Sequence, residues 1–208
     1  MLKPTRFLII TIVALLVFSC KNNSQDASNA TPEIAVSDSL TESMEHRAPK
    51  KDLTPQDIAV IKSVMARVMN DGFLKRFSSY LVTAELTAML SNDPGPFTVF
   101  GPTDTAIESL AAEKRDFYAN PENRAQLTAM LKAHIVAGNY DKTALLRSVD
   151  KSGKAQLKTM AGTTLTITKS GDDLVVYNGK GATATIIKGS LEGSNGSVYV
   201  VDAMLGAY

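Results

Sequence analysis

The spacing of apolar residues takes four forms along this chain, and each form marks a region. A mostly aliphatic run from Phe7 to Phe18 follows the basic residues Lys3 and Arg6. From Lys21 to about Asp52 the apolar residues are isolated among Ser, Asn, Asp, Glu, Thr and Pro, with neither a helical nor an alternating period, so this stretch reads as a disordered tether. A helical spacing begins at Thr54-Pro55, an N-cap and a first-turn proline, and carries Ile58, Ile61, Val64, Met65 and Val68 to a stop at Asp71-Gly72. A second helical pattern holds Phe73, Leu74, Phe77, Leu81, Leu86, Met89 and Leu90, and ends in the turn Asn92-Asp93-Pro94-Gly95-Pro96. A third starts at Asn120-Pro121, places Leu127, Met130, Leu131, His134 and Ile135 on one stripe, and ends at Gly138.

Beyond Gly138 the spacing shortens. The segments LKTM, TTLTIT, LVVY, ATATII and SVYVVDAML are rich in Val, Ile, Thr and Tyr, and are separated by Ala161-Gly162, Ser170-Gly171-Asp172-Asp173, Asn178-Gly179-Lys180-Gly181 and Ser194-Asn195-Gly196. Such close turns join antiparallel strands, because parallel ones need a crossover of about a dozen residues or more. Helices followed by an antiparallel sheet make an α+β domain over residues 53–208, of a size that buries about 68–70% of its unfolded surface.

The N-terminal run is too short for a membrane span, which needs about 17–25 residues, and its layout is that of a signal peptide over residues 1–19. Cys20 is the single cysteine of the chain, placed after Ser19 at the end of that run. VFSC resembles the lipobox of bacterial lipoproteins, with Phe18 larger than the residue usual at its place, so Cys20 is the expected lipidation site and residues 20–52 the expected tether. Without a second thiol, disulfides and cysteine-based metal sites are excluded. A net charge of +1 gives no basic field for nucleic acid. The triplet DSL at Asp38 to Leu40 is a weak match to an O-glycosylation signal, and His46 lies in the tether without company.

The stretch GPFTVFGPTDTAI, Gly95 to Ile107, runs from an apolar strand through a turn into a helix start. It lacks the spaced glycines and Gly-Lys-Ser/Thr ending of a phosphate loop, and the Gly-x-Ser-x-Gly of a nucleophile elbow. It has capping chemistry instead: Thr103 or Asp104 at the helix start, a Thr105–Glu108 capping box, and Ile107, Leu110 and Ala111 on the buried face. FTVF reads as a strand buried on both sides. His134 is the single histidine of the domain, which excludes a histidine metal cluster and favours a buried ring with satisfied nitrogens; the Thr103-Asp104 corner is its candidate partner. Asp172-Asp173 and Gly179-Lys180-Gly181 read as hairpin turns, and Asp202 as a strand-end or sheet-edge residue. No catalytic constellation and no cofactor site emerge.

Three segments resemble, in order, the signatures of fasciclin domains. GPFTVFGPTDTAI is similar to Gly-Pro-Phe-Thr-Val-Phe-Ala-Pro-Thr-(Asn/Asp)-x-Ala-Phe, LTAMLKAHIVAGNY to a helix ending in Tyr-His-Val-Val-x-Gly-x-Tyr, and SNGSVYVVDAML to Asn-Gly-Val-(Ile/Val)-His-Val-Ile-Asp-x-Val-Leu. The matching positions are Phe97, Val99, Phe100, Pro102, Thr103, Asp104, His134, Gly138, Asn195, Gly196 and Asp202. The resemblance implies a wedge of about seven mostly antiparallel strands with helices packed at one side, non-catalytic and used for adhesion or protein contact. The chain departs from the pattern at Ala133, in place of the tyrosine of the Tyr-His pair, at Ser190-Leu191, in place of an Asp-Ile pair, and at Tyr199, in place of a histidine. Those departures argue against integrin-like recognition. The expected protein is a lipid-anchored cell-envelope module, an outer-membrane lipoprotein facing the periplasm or the surface, whose partner is an envelope or extracellular protein. A carbohydrate- or envelope-polymer-binding module is the alternative, disfavoured because the chain has no Trp to form an exposed aromatic platform.

Overall fold

The computed structural model describes residues 52–206, which fall in the second of the two units of the chain, Lys50–Tyr208. The signal peptide, Cys20, the DSL triplet, His46 and nearly all of the tether lie outside the described residues. Four short helices come first: α1 (Pro55–Ile61), α2 (Val64–Asn70), α3 (Lys75–Thr83) and α4 (Thr87–Asn92). Strand β1 (Phe97–Pro102) leads into α5 (Asp104–Glu108) and α6 (Ala112–Ala119). A 3-10 turn (Pro121–Asn123) then precedes α7 (Arg124–Lys132), β2 (Ile135–Ala137) and α8 (Lys142–Ser152). The chain finishes with β3 (Ala155–Lys158), β4 (Thr164–Ser170), β5 (Asp173–Tyr177), β6 (Thr183–Gly193) and β7 (Gly196–Val201).

The seven strands form one sheet in the order β2-β1-β7-β6-β5-β4-β3. Every neighbouring pair is antiparallel except β1 and β7, which run parallel from Phe97↔Gly196 to Pro102↔Val201. That exception is topologically allowed because most of the domain separates the two strands and supplies the long crossover a parallel pair requires. The outer strands curl towards one another: Val136 bridges Thr159, and the Met160 N–H donates to the Ile135 carbonyl at 2.7 Å. The sheet is thus nearly a barrel, and the α+β class follows directly from the sequence pattern.

Both faces of β1 and β7 are covered, so all six positions of each strand are buried. Alternation sends Phe97, Val99, Val198 and Val200 into one apolar cluster, with α2, α3, α4 and α7, and Phe100, Tyr199 and Val201 into another, with β3 to β6 and α8. The continuous apolar reading of FTVF reflects this double burial.

The helical half departs from the spacing in three places. The predicted first helix is broken at Ser63, whose extended backbone and side chain cap α2 by accepting from the Ala66 N–H at 3.2 Å. As a result Val64, Met65 and Val68 are buried, whereas Ile58 and Ile61, on α1, are 38% and 54% exposed. The second pattern is broken at Glu85, which adopts φ 59°, and its first member, Phe73, is 55% exposed with the Lys188 ammonium 5.7 Å from its ring centroid. The third helix ends at Lys132, not at Gly138, because Ile135–Ala137 is drawn into the sheet beside β1. Helices α6 and α8 were not resolved by apolar spacing alone.

Candidate functional site

β1 delivers the chain into a corner where two neighbouring residues cap two different helices. The Thr103 hydroxyl accepts from the Ala106 N–H at 3.0 Å and caps α5, and the Thr103 N–H donates to the Val201 carbonyl at 3.0 Å. Asp104 reaches elsewhere. Its Oδ1 accepts from the Arg76 N–H at 2.8 Å, supplying a cap to α3, whose own N-cap position is Leu74 and offers none. The predicted Thr105–Glu108 capping box does not form: Glu108 pairs with Arg76 at 2.9 Å, since the cap position belongs to Thr103. Ala106 and Ile107 are buried and Leu110 is partly buried, while Ala111 is exposed at the start of the next helix. Pro102 ends β1 and is buried with Phe97, Val99 and Phe100.

Asn195 is a polar junction between the chain entering β7 and two helices. Its Oδ1 accepts from the Val64 N–H at 2.8 Å, and its Nδ2 donates to the Leu90 and Asp93 carbonyls at 3.1 and 2.9 Å. One side chain thereby satisfies the start of α2 and the end of α4. Gly196 follows with φ 146°, and a Cβ there would overlap the Phe97 carbonyl, so the parallel pairing of β1 and β7 at this end requires glycine. Gly138, at φ 135°, leaves room for the Tyr140 ring, which a Cβ would approach to 2.6 Å. Its N–H donates to the Pro96 carbonyl at 2.7 Å, and its carbonyl accepts from the Thr98 hydroxyl at 2.7 Å. Asp202 accepts from the Thr185 N–H at 2.6 Å and returns its own N–H to the Thr185 carbonyl at 3.1 Å, extending the pairing of β6 with the chain just past β7.

His134 sits fully buried between α7 and β2, and the Thr103-Asp104 corner is not its partner. The Leu205 N–H donates to Nε2 at 2.9 Å, which requires an unprotonated Nε2, and Nδ1–H therefore donates to the Met130 carbonyl at 3.0 Å. The ring links the end of α7 to the C-terminal segment, a contact that sequence spacing does not reveal because it joins residues 71 apart. Burial lowers its pKa to about 4, against the smaller opposing effect of the Met130 carbonyl. Both nitrogens being engaged by backbone, this neutral imidazole is not placed to take a proton from a substrate.

The three departures from the fasciclin pattern are structural positions as well. Ala133 is buried at the C-cap of α7, and Ser190-Leu191 lies at a register shift in β6. Tyr199 stacks on Phe100 with centroids 5.5 Å apart and donates its hydroxyl to the Tyr140 carbonyl at 2.9 Å. Two further residues escaped the sequence reading: Asp71, read only as a helix stop, accepts from the Lys188 ammonium at 2.6 Å, and the buried Asn178, read only as a turn residue, donates to the Leu205 carbonyl at 2.8 Å. The turns over Asp172-Asp173 and Gly179-Lys180-Gly181 join β4 to β5 and β5 to β6. Among the described residues no group of three or more His, Cys, Asp or Glu is placed to hold a metal ion, and no helix is long and apolar enough to cross a membrane.

A family model for the Fasciclin domain matches residues 72–207. The chain is 32% identical to Stabilin-2 of Rattus norvegicus over 118 residues, covering 55% of this chain and 8% of that protein. It is 34% identical to protein sll1483 of Synechocystis over 122 residues, covering 59% of this chain and 61% of that protein. The chain therefore spans less than two thirds of the length of either relative. The structure of a FAS1 domain pair from the insect cell adhesion molecule Fasciclin I superposes with a TM-score of 0.63 at 16% identity, covering 69% of this chain and 50% of that one, a likeness of fold. With the three signatures placed on β1 and its corner, the α7–β2 link and β7, and with the family match covering the sheet and most of the helices, the chain belongs to the Fasciclin domain family.

Proposed function

We propose that this protein is a non-catalytic adhesion or protein-contact module, tethered to the bacterial cell envelope through a lipidated Cys20. The Fasciclin match over residues 72–207 carries the reading, and the solved fold neighbour, described as an insect cell adhesion molecule, supports it. The polar residues of the signatures serve the scaffold: Thr103, Asp104, Asn195 and His134 are engaged with backbone groups of neighbouring elements. Such a scaffold presents its surface to a partner and keeps its buried polar groups out of chemistry. Lys3, Arg6, the run to Phe18 and VFSC support export and anchoring, and residues 21–52 provide reach.

Affinity capture with the full chain against envelope protein and glycan fractions tests the contact reading. Saturable protein capture is the expected result; saturable glycan binding without protein capture overturns it in favour of a polymer-binding module. Radiolabelled fatty acid is expected to enter the wild type and not Cys20→Ser, and equal labelling removes the anchor. Protease accessibility on intact cells then assigns the domain to the surface or the periplasm.

A further inference from the structure

Strands β5 and β6 are neighbours for only part of their length. Their register ends at Val175↔Thr185, whereas β5 stays paired with β4 as far as Asp173 and β6 stays paired with β7 as far as Gly193. Past the last shared pair the strands fork. The fork holds a cavity of about 190 Å³ lined by Asp173 and Leu174 on one arm and by Ile186 to Gly189 on the other. Tyr199 lies at its buried end, packed so closely against residue 189 that a Cβ there would overlap the phenol ring. Both register shifts of β6, Ile186/Lys188 and Lys188/Leu191, fall along this arm.

Size and charge narrow what could enter. Sites for drug-sized ligands run to about 300–1,000 Å³, so this cavity is on the scale of one side chain. Its mouth carries Asp172 and Asp173 against Lys142, while the remaining cation, Lys188, is already held by Asp71 at 2.6 Å. Burial pushes the Tyr199 hydroxyl up to about 12, the nearby Ser190 hydroxyl partly offsets this, and Asp141 and Glu192 add smaller upward pushes. Leu174, Ile186 and Ile187 supply the apolar part of an otherwise polar lining. A guest with an apolar stem and a cationic head matches both parts, because a long basic side chain lays its methylenes on apolar surface, and the forked N–H groups of a guanidinium suit the neighbouring carboxylates of Asp172 and Asp173. Beyond Thr185, moreover, the flank of β6 towards β5 has no registered strand partner, which is the setting for an extended chain to lie alongside.

We propose that the β5–β6 fork is a socket for a single arginine side chain carried on an extended segment of a partner protein. The socket deepens the protein-contact reading of the domain and rests on it. The test uses the full-length chain, 15N-labelled, titrated with the capped pentapeptide Thr-Val-Arg-Val-Thr and with its citrulline counterpart, which keeps the shape and loses the charge. Saturable shifts at the amides of Leu174, Ile187 and Gly189 are expected with the arginine peptide. The exposed-turn variant Asp172→Asn/Asp173→Asn is expected to weaken binding at least about tenfold, and Lys142→Gln to strengthen it. Equal shifts with citrulline, shifts mapping elsewhere, or saturable binding of glucosamine in place of the peptide overturn the socket. If the wild type captures envelope protein while the peptide produces no shift, the socket fails and the protein-contact reading stands; if it does neither, both fail.

Discussion

The two apolar clusters share β1 and β7 but are closed by different means. On the helical side, short helices end inside the fold and leave orphan N–H and C=O groups, and side chains from distant elements satisfy them: Asn195 serves α2 and α4, and Asp104 serves α3. On the strand side the ladders satisfy the backbone themselves, so side chains such as Asn178 and Asp202 are needed only where pairing ends. Where the β5–β6 ladder lapses, a cavity opens between the two strands. Helical packing in this fold thus depends on a few polar junctions, and sheet packing on continuity.

The sharpest way to break this comparison is at the seam common to both clusters. Gly196→Ala places a Cβ on the Phe97 carbonyl and is expected to cost more than about 5 kcal/mol or to prevent folding; near-wild-type stability in urea denaturation would show that the seam yields. Next comes the helical junction. Asn195→Ala strands the Val64 N–H and the Leu90 carbonyl in the interior, an expected loss of about 3–4 kcal/mol, against about 1 kcal/mol for Asp202→Ala at the exposed end of the ladder. Equal losses in the same denaturation series would remove the distinction between the two sides.

His134 ties the clusters together and gives a pH signature. In the unfolded chain its imidazole protonates near 6.5, whereas the buried ring resists protonation down to about 4, so between these values the unfolded state binds more protons. Its contribution is complete above pH 6.5 and is lost as pH falls towards 4, by up to about 3 kcal/mol. Denaturation curves across this window are expected to show that loss in the wild type and a flatter profile in His134→Leu. The smallest effect belongs to Ile58→Ala, within about 0.5 kcal/mol by thermal unfolding, because the helical spacing that marks Ile58 as core extends across the break at Ser63.

That break shows where sequence reasoning stops. Apolar spacing located most of the strand segments, because alternation and turn residues are local properties of each hairpin. It ran α1 into α2, and α3 into α4, because a helix interruption at Ser63 or Glu85 costs little locally and is stabilised by partners far along the chain, as Asn195 does for Val64. The signature residues were legible as a set through the family pattern, and Thr103 was legible as a cap from its neighbours alone. Asp104 capping α3, His134 reaching Leu205 and Lys188 holding Asp71 were not legible, since each joins segments with no sequence relation.

The α+β class, the hairpin turns and a first strand hydrophobic enough to be covered on both faces are written into the local pattern of residues, since these rest on local backbone preference and side-chain period. The parallel pairing of β1 with β7, the corner in which GPFTVFGPTDTAI caps two helices, and the separation of β5 from β6 past Val175 and Thr185 appear only in three dimensions. Those outcomes depend on which distant groups meet, and hydrogen bonding and close packing act on separation in space, whatever the separation along the chain.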